Sequence, residues 1–183
     1  AVATDVGRGV VDRFRSLPVA RSALLIGRGV TDLVRALAEV AVLVVCGLLI
    51  GWQARGSLAE AVFAVVLILM LRFALSWLGI WLGLMVPNPD LIAVIVFPLA
   101  FPLTAVSNIL VSPELMPGWL GTAAEWNPLS ASTAAARELF GNPGVGGDSW
   151  AAQHPVLLAV VWPLLLVAVF APLAVRQYRR LGR

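Results

Sequence analysis

Residues 58–86 read LAEAVFAVVLILMLRFALSWLGIWLGLMV, an almost unbroken run of apolar side chains. A helix needs about 20 such residues to cross the hydrocarbon core of a bilayer, and this run can do so with some tilt. Arg72 lies near its middle, where a charge costs at least about 2.5–3.5 kcal/mol. Its side chain must therefore face the protein interior, a partner carboxylate or water. Two interpretations stay open: a structural ion pair, or a residue on a path through the membrane.

The rest of the chain has the same character. Of its 183 residues, 60% are hydrophobic and 13% are charged, and the mean hydropathy is +0.93. In soluble domains roughly 45–50% of residues are apolar and roughly 25% are charged. The composition therefore predicts an all-α, polytopic integral membrane protein. Three more apolar runs predict spans at about 33–52, 91–111 and 155–175, which makes four transmembrane helices with the run at 58–86. Arg35 and Glu39, four residues apart at the start of the first span, can pair along that helix.

The third span carries two prolines and a polar stripe. Pro98 and Pro102 predict a kinked, interior helix, because neighbouring elements must satisfy the carbonyl groups that proline leaves free. Thr104, Ser107 and Asn108 are spaced to share one helical face. Hydrogen bonding between helices and a polar face on a translocation path are both compatible with this stripe.

Residues 112–154 are too rich in proline and glycine to form a span. Two short helices are predicted, at roughly 114–125 and from Pro128 to Phe140, the second with Asn127 as its N-cap and Pro128 in its first position. We expect them to lie on one leaflet or dip into it, with tryptophans at the membrane–water interface. Either a solvated face or a functional surface accounts for the charges. The residues singled out in this loop are Trp119, Glu125, Trp126, Asn127, Pro128, Arg137 and Glu138.

The arginines predict the orientation. Outside the spans, nine arginines lie on the side of the two termini and two, Arg55 and Arg137, on the opposite side. Positively charged flanks stay in the cytoplasm, so both ends, including the tail at 176–183, are predicted to be cytoplasmic and the loop at 112–154 external. The pI is near 10.4, but the net charge is only +3 and the arginines cluster beside the spans, so we expect no nucleic-acid partner.

Several kinds of chemistry are excluded by composition. The chain has no lysine, and therefore no GxxxxGK[ST] phosphate-binding loop; it has one histidine, His154, and one cysteine, Cys46. A single histidine excludes a two-histidine metal centre, and a single cysteine excludes an internal disulfide. We therefore expect no catalytic residue, no metal and no bound cofactor in this chain.

Residues 1–32 form a polar leading segment. Val6, Val10, Phe14 and Leu17 fall on one face of a helix predicted over 5–17, and Pro18 is expected to end or kink it. This pattern is compatible with two interpretations. The helix lies at the lipid head groups, or it docks on a partner protein.

The run FPLTAVSNILVSPELMPGWLGTAAEWNPLSASTAAARELFGNP, at 101–143, resembles the permease subunit of type-2 ABC exporters, and in particular the actinobacterial daunorubicin-resistance type. The matching parts are FPLT with SN at 101–108, MPGW at 116–119, EWNPLS at 125–130 and RELFGNP at 137–143. The segment GVVDRFRSLP at 9–18 resembles the family's cytoplasmic segment before its third span. The similarity covers essentially the whole chain.

The resemblance implies an exporter half in a bacterial plasma membrane. Such permeases usually have six spans, so the four seen here would be the third to the sixth, and the chain resembles a C-terminal part lacking the first two. A separate ATPase would bind ATP and Mg²⁺, and two permeases, identical or homologous, would pair with two ATPases. The cytoplasmic segment would act as a coupling helix that docks on the ATPase; the candidate contacts are Asp12, Arg13, Phe14, Arg15 and Arg21.

The implied cargo is an amphipathic drug, antibiotic or lipid reached from the membrane. Export of a lipid-linked glycan or a polyketide lipid is an alternative within the class. A membrane scaffold protein without transport is an alternative from another class, and a dependence of efflux on this chain would distinguish the two.

Overall fold

A computed structural model of the chain describes residues 21–86, 89–142 and 147–180, and every regular element in these ranges is helical. A 3₁₀ turn at Pro113–Leu115 precedes the short helices that follow the third predicted span. The seven α-helices are α1 (Arg21–Ile50), α2 (Leu58–Met85), α3 (Pro89–Ala105), α4 (Gly118–Glu125), α5 (Pro128–Leu139), α6 (Trp150–Gln153) and α7 (Pro155–Arg180).

Helix α1 is continuous from Arg21 to Ile50 because no proline interrupts it. It therefore crosses residue 32, where the sequence placed a boundary between a leading segment and the first span. The helix ends at Gly51, which has a φ of 98°, a conformation that glycine adopts with little strain. The Trp52 amide donates to the Gly47 carbonyl at 2.9 Å, which closes the turn and satisfies a carbonyl of the last helical turn.

Helix α2 begins with a capping box. The Ser57 hydroxyl accepts a hydrogen bond from the Glu60 amide at 3.2 Å, and the Glu60 carboxylate accepts one from the Ser57 amide at 2.6 Å. Both residues thus satisfy amide groups that a helix start leaves without partners. The turn between α1 and α2 is consequently short and well defined at both ends.

Helices α2 and α7 run parallel and form the main packed layer. Near one end, Leu67 of α2 packs with Ala159 of α7; towards the other end, Trp81 of α2 lies 5.4 Å, centroid to centroid, from Phe170 of α7. Trp77, Ile80 and Leu84 pack with Ala174 in the same layer. Parallel contact over this length requires the connection between the two helices to return to the side where α2 began.

Helix α5 is wedged between α2 and α7. Ala135 is fully buried against Leu67 and Ala159, and Leu67 lies about 14 Å along the axis from the start of α2 at 1.5 Å per residue. Small buried side chains let α5 approach closely; they are Ser130, Ala131, Ser132 and Ala135. Helix α5 therefore lies within the layer formed by α2 and α7 and contacts both helices beyond their first turns.

Helix α3 differs from the predicted span. It ends at Ala105, not at residue 111, and its 17 residues measure about 25 Å, short of a hydrocarbon core of about 30 Å. It makes few contacts with the described helices, and Phe97 and Phe101 are exposed. Among the residues that the structure describes, three helices are long and apolar enough to cross a membrane, namely α1 from Val30 onward, α2 and α7. Helix α3 contributes the shorter apolar helix Val94–Ala105.

Other predicted boundaries shift by a few residues. The external helix predicted from 114 begins at Gly118, because Pro117 precedes it as N-cap and residues Pro113–Leu115 form a separate 3₁₀ turn. The helix predicted from Pro128 is present and ends at Leu139. Helix α7 continues through Pro163 and Pro172 to Arg180, beyond the predicted end at 175, so part of the predicted tail is helical.

Candidate functional site

An ion pair joins α1 to α2 inside the apolar segments. The Arg72 guanidinium donates from Nη1 to Oε2 of Glu39 at 2.6 Å. At 1.5 Å per residue, Glu39 lies about 16 Å from the end of α1 and Arg72 about 21 Å from the start of α2. The two residues thus meet deep in their helices, as antiparallel neighbours joined by a short turn must.

This pair replaces the one expected from sequence. The i, i+4 spacing of Arg35 and Glu39 favours a bond along α1, but in the described residues the Glu39 carboxylate bonds to Arg72. Arg72 gains more from a carboxylate than Arg35 does, because it lies near the middle of an apolar span. Arg35 lies close to the start of the apolar part of α1, Val30–Ile50, and can extend its long side chain towards the membrane surface. The structure thus contains an ion pair at Arg72, and a role of this residue on a path through the membrane stays a prediction.

The pair is not sealed inside the subunit. The side chains of Arg72 and Glu39 are 39% and 49% exposed, and a charged pair facing hydrocarbon would be costly. Within the part of the chain that the structure describes, the pair uses one guanidinium nitrogen and one carboxylate oxygen, and further donors on Arg72 and the second oxygen of Glu39 have no partner there. The exposed side of the pair therefore needs water, protein or a polar ligand against it.

A second polar feature joins α3 to α5 through one side chain. The amide nitrogen of Asn127 donates to the carbonyl oxygens of Leu103, at 2.7 Å, and Val106, at 2.5 Å. Its Oδ1 accepts from the Leu129 amide at 2.9 Å, which is the predicted N-cap bond of α5. Asn127 thus ends α3 and begins α5 at once.

Asn108 extends this junction. Its backbone amide donates to the Ser130 hydroxyl at 2.9 Å, its side-chain amide donates to the Ser130 carbonyl at 3.2 Å, and its own carbonyl accepts from Arg137 at 3.2 Å. Asn108 is 8% exposed. Arg137, which the sequence marked as a loop charge, therefore lies folded back on the junction.

The polar stripe predicted on the third span does not form a helical face. Thr104 donates to the Ala100 carbonyl at 2.9 Å, within α3, while Ser107 and Asn108 lie beyond its end. Ser107 is fully buried and donates to the Thr104 carbonyl at 2.6 Å. Ser107 therefore bonds within its own turn, and Asn108 bonds to Ser130 of α5. A role of the stripe on a translocation path stays a prediction.

Two glycines hold the α1–α2 turn against the end of α5. The amides of Arg55 and Gly56 donate to the Phe140 carbonyl at 2.9 and 3.3 Å. Gly141 has φ 66°, and a Cβ there would lie 2.9 Å from the Gly56 amide nitrogen; a Cβ on Gly56 would overlap the Leu139 carbonyl oxygen. Backbone lies directly on backbone at this contact, which we call the glycine contact.

The segment between α3 and α7 carries an aromatic stack. Trp126 and Trp150 are stacked with centroids 6.0 Å apart, and Trp150 stacks on His154 at 4.7 Å. Trp126 and Trp150 are about half exposed, and Trp119 is 76% exposed. Rings placed in this way suit a membrane–water interface.

Glu125 is half-buried and Glu138 is exposed. Glu125 lines a cavity of about 20 Å³ together with Asn108, Ser130 and Ala151. Pockets for drug-sized ligands measure about 300–1,000 Å³. This cavity is therefore too small to hold an amphipathic cargo.

Four of the proposed docking residues, Asp12, Arg13, Phe14 and Arg15, lie outside the described residues, and Arg21 is the first residue of α1. Within the described ranges, no group of three His, Cys, Asp or Glu side chains is placed to hold a metal ion. Sequence reasoning missed Ser130 as the partner of Asn108 and Gly56 as the partner of Gly141. The signals for the ion pair were Arg72, whose charge lies in the middle of a predicted span, and Glu39, an acidic residue within another predicted span.

Comparison with known proteins gives two matches. Residues 1–140 match the family described as ABC-2 type transporter. Over 176 residues, 96% of its length, the chain is 38% identical to the daunorubicin resistance ABC transporter permease protein DrrB1 of Streptomyces coeruleorubidus. The chain spans 60% of the length of that relative. No solved structure matches the chain.

Proposed function

The chain belongs to the ABC-2 type transporter family and is a multi-pass membrane protein, and from this premise we propose its role. It is the permease subunit of an ABC exporter that moves an amphipathic drug, antibiotic or lipid out of the cell. The observation that carries the proposal is the identity with a permease named for daunorubicin resistance, which extends over 96% of the chain. The three long apolar helices support it.

ATP hydrolysis belongs to a separate subunit in this proposal. The chain has no lysine and so no phosphate-binding loop of the usual type, which supports a division of labour between permease and ATPase. ATP and Mg²⁺ bind to that ATPase, and two permease copies or homologues pair with two ATPases. The arginine distribution supports a plasma-membrane orientation with both ends of the chain in the cytoplasm.

Helix α1 supplies a mechanical link from the ATPase to the ion pair. The proposed docking segment, with Phe14 as an apolar anchor flanked by Arg13 and Arg15, leads directly to Arg21, where α1 starts. From there an unbroken helix reaches Glu39 after about 27 Å. Movement of the docked segment is transmitted along α1 to Glu39, and through Glu39 to Arg72 on α2.

ATP-driven closure of the ATPases then shifts the permease pair between two conformations that expose the cargo path to opposite sides. Helix α3 is suited to bending between these states. Its end is held by Asn127, while Pro98 and Pro102 remove hydrogen bonds along its length.

The test is purification of the full-length protein from its native membrane in mild detergent, followed by identification of the subunits that accompany it. A stoichiometric ATPase that accompanies the permease, in a smaller amount with Phe14→Ala and in an unchanged amount with Phe97→Ala, supports the exporter and its docking segment. Phe97 is a suitable control because it is an exposed phenylalanine on α3, away from the docking segment. A folded permease with no ATPase overturns the proposal and favours a scaffold protein without transport.

A further inference from the structure

A small cavity lies where α4, α5 and α6 meet the residues that follow α3. It measures about 20 Å³, and a cavity needs at least about 10–15 Å³ to hold one water molecule. Most of its wall is formed by alanine and proline, and the polar side chains in the wall are Asn108, Glu125 and Ser130. The cavity therefore has room for one small polar occupant beside three polar groups.

One of these groups has an unmet need for a hydrogen bond. Within the described ranges, four buried side-chain atoms have no hydrogen-bond partner: Oδ1 of Asn108, Oγ of Ser132 and the indole nitrogens of Trp77 and Trp162. Of these four residues, Asn108 is the one that lines the cavity, and it is more than nine-tenths buried. A buried acceptor without a partner destabilises a fold, so Oδ1 needs a donor that fits the cavity.

The Asn108 amide can present this oxygen to the cavity. Its Nδ2 donates to the Ser130 carbonyl at 3.2 Å, a long bond that tolerates a small rotation about the Cβ–Cγ bond. Oδ1 itself has almost no exposed surface. A small rotation turns this oxygen towards an occupant of the cavity without any change in the backbone.

The other two polar groups complete the set of partners that a water needs. The Ser130 hydroxyl accepts from the Asn108 backbone amide at 2.9 Å and has its own proton to donate. Glu125, the last residue of α4, is half-buried, and its carboxylate accepts hydrogen bonds. We propose that the cavity binds one ordered water, which donates to Asn108 Oδ1 and the Glu125 carboxylate and accepts from the Ser130 hydroxyl. Buried waters typically make about three such bonds.

The wall of the cavity favours water over a metal cation. Calcium and magnesium take six or more oxygen ligands, whereas the wall supplies three polar side chains. Arg137 donates to the Asn108 carbonyl at 3.2 Å, and this positive charge opposes the attraction of the Glu125 carboxylate for a cation. The nearby carboxylates of Glu114 and Asp148 are on exposed residues outside the wall. A neutral occupant therefore fits the site.

The water connects α4 to the junction between α3 and α5. Helix α4 makes few direct contacts with α5, and in the described residues no direct hydrogen bond joins Glu125 to Asn108 or Ser130. A bridging water ties the end of α4 to both of these residues. It also gives a reason for the position of Glu125, whose side chain lies beside alanines of α5 and α6.

The direct test is a cryo-electron microscopy map of the full-length protein in nanodiscs, at a resolution that shows ordered water. The expected result is one peak in the cavity, about 2.7–3.2 Å from Asn108 Oδ1 and from at least one oxygen of Glu125 or Ser130. A cavity without a peak would overturn the proposal. So would a peak surrounded by five or more oxygens at about 2.0–2.6 Å, which is the environment of a metal ion.

Variants of Glu125 test the bridge in solution through the thermal unfolding midpoint. Glu125→Gln keeps an oxygen that accepts from the water and is expected to leave the midpoint unchanged. Glu125→Met keeps the length of the side chain but removes the acceptor, so we expect a fall of about 2–4 °C. Glu114→Met is the matched control, since Glu114 is exposed and does not line the cavity. Equal midpoints for the two methionine variants would overturn the bridge.

The salt in the buffer distinguishes water from a monovalent cation. The midpoint of the wild type is expected to be the same in sodium, potassium and choline chloride at equal ionic strength, because water is present in all three. A higher midpoint in sodium or potassium that disappears in Glu125→Gln would assign the site to that cation and overturn the proposal. If Glu125→Met does not fold, the map of the wild type and the salt comparison decide.

Discussion

The side-chain amide of Asn127 donates a 2.7 Å hydrogen bond to the backbone carbonyl of Leu103, so the residue that begins α5 also ends α3. These residues are 24 positions apart in the chain. The bond caps the end of the apolar run of the third span, which stops being helical at Ala105, because the side chain of Asn127 satisfies a carbonyl of the last helical turn. Movement of α3 is thereby tied to α5, which is wedged between α2 and α7.

Replacing Asn127 by alanine should loosen this junction. Asn127→Ala leaves the Leu103 and Val106 carbonyls without their partner and removes the N-cap of α5, so we expect a loss of about 2–4 kcal/mol. The measurement is the thermal unfolding midpoint in detergent, expected to fall by at least about 5 °C. Asn142→Ala is the control, since the Asn142 bond in the structure is made by its backbone amide. Equal midpoints for the two variants would contradict the junction.

The glycine contact predicts a sharp difference between two glycine substitutions. Gly141→Ala forces a side chain into a left-handed conformation and places its Cβ 2.9 Å from the Gly56 amide nitrogen, so we expect a loss of about 2 kcal/mol or more. A Cβ at Gly118, in the first position of α4, meets no atom within 4 Å. Gly118→Ala should therefore be neutral or slightly stabilising. The unfolding midpoints of both variants test this, and a tolerated Gly141→Ala would show that the backbone contact can open freely.

The ion pair predicts non-additive effects. Arg72→Ala leaves the Glu39 carboxylate unpaired within its helix, and Glu39→Ala leaves the guanidinium unpaired, a cost of about 2.5–3.5 kcal/mol on insertion scales. Each single variant should lower the yield of folded protein in the membrane, and the double variant should recover part of it. Arg55→Ala serves as the control for loss of a positive charge, because the Arg55 bond in the structure is a backbone one. A double variant no better than the worse single variant would show that the two side chains do not act as a pair.

Ser130→Ala should lower the stability of the fold although the side chain is small. Ser130→Ala removes the acceptor of the buried Asn108 amide, and a buried donor left unsatisfied costs about 1–3 kcal/mol. Ser112 makes no capping bond with its side chain, so Ser112→Ala is the matched control. We expect a lower unfolding midpoint for Ser130→Ala alone; a fall of similar size in both would mean that the junction does not depend on this hydroxyl.

Coupling in the proposed transporter depends on Phe14. Phe14→Ala should leave the permease folded but reduce efflux relative to ATP hydrolysis, because it removes an apolar anchor from the docking segment. The ratio of transported cargo to ATP hydrolysed, measured in proteoliposomes with the ATPase, checks this against Phe97→Ala. An unchanged ratio would assign the docking role to other residues.

Much of this architecture was predictable because it depends on local chemistry. The run at 58–86 is a membrane helix by its own hydropathy, and Asn127-Pro128 marks the start of α5 because an asparagine cap and a proline in the first turn satisfy needs within a few residues. The resemblance in 101–143 pointed to the family that the comparisons show. The resemblance also suggested docking by Asp12, Arg13, Phe14 and Arg15; this stays a prediction.

The contacts between distant residues were decided only by the tertiary structure. Glu39 had a suitable partner four residues away in Arg35, and the packing of α1 on α2 brought Arg72 to it from 33 residues further along the chain. The helix of the third span ends earlier than predicted, where the Asn127 side chain bonds to the Val106 carbonyl. Helix α5 packs between α2 and α7 because its small residues fit there. Hydropathy and capping act within one or two helical turns and can be read from the chain itself. An ion pair or a buried amide instead takes the best partner that folding brings within reach, and that depends on how whole helices pack.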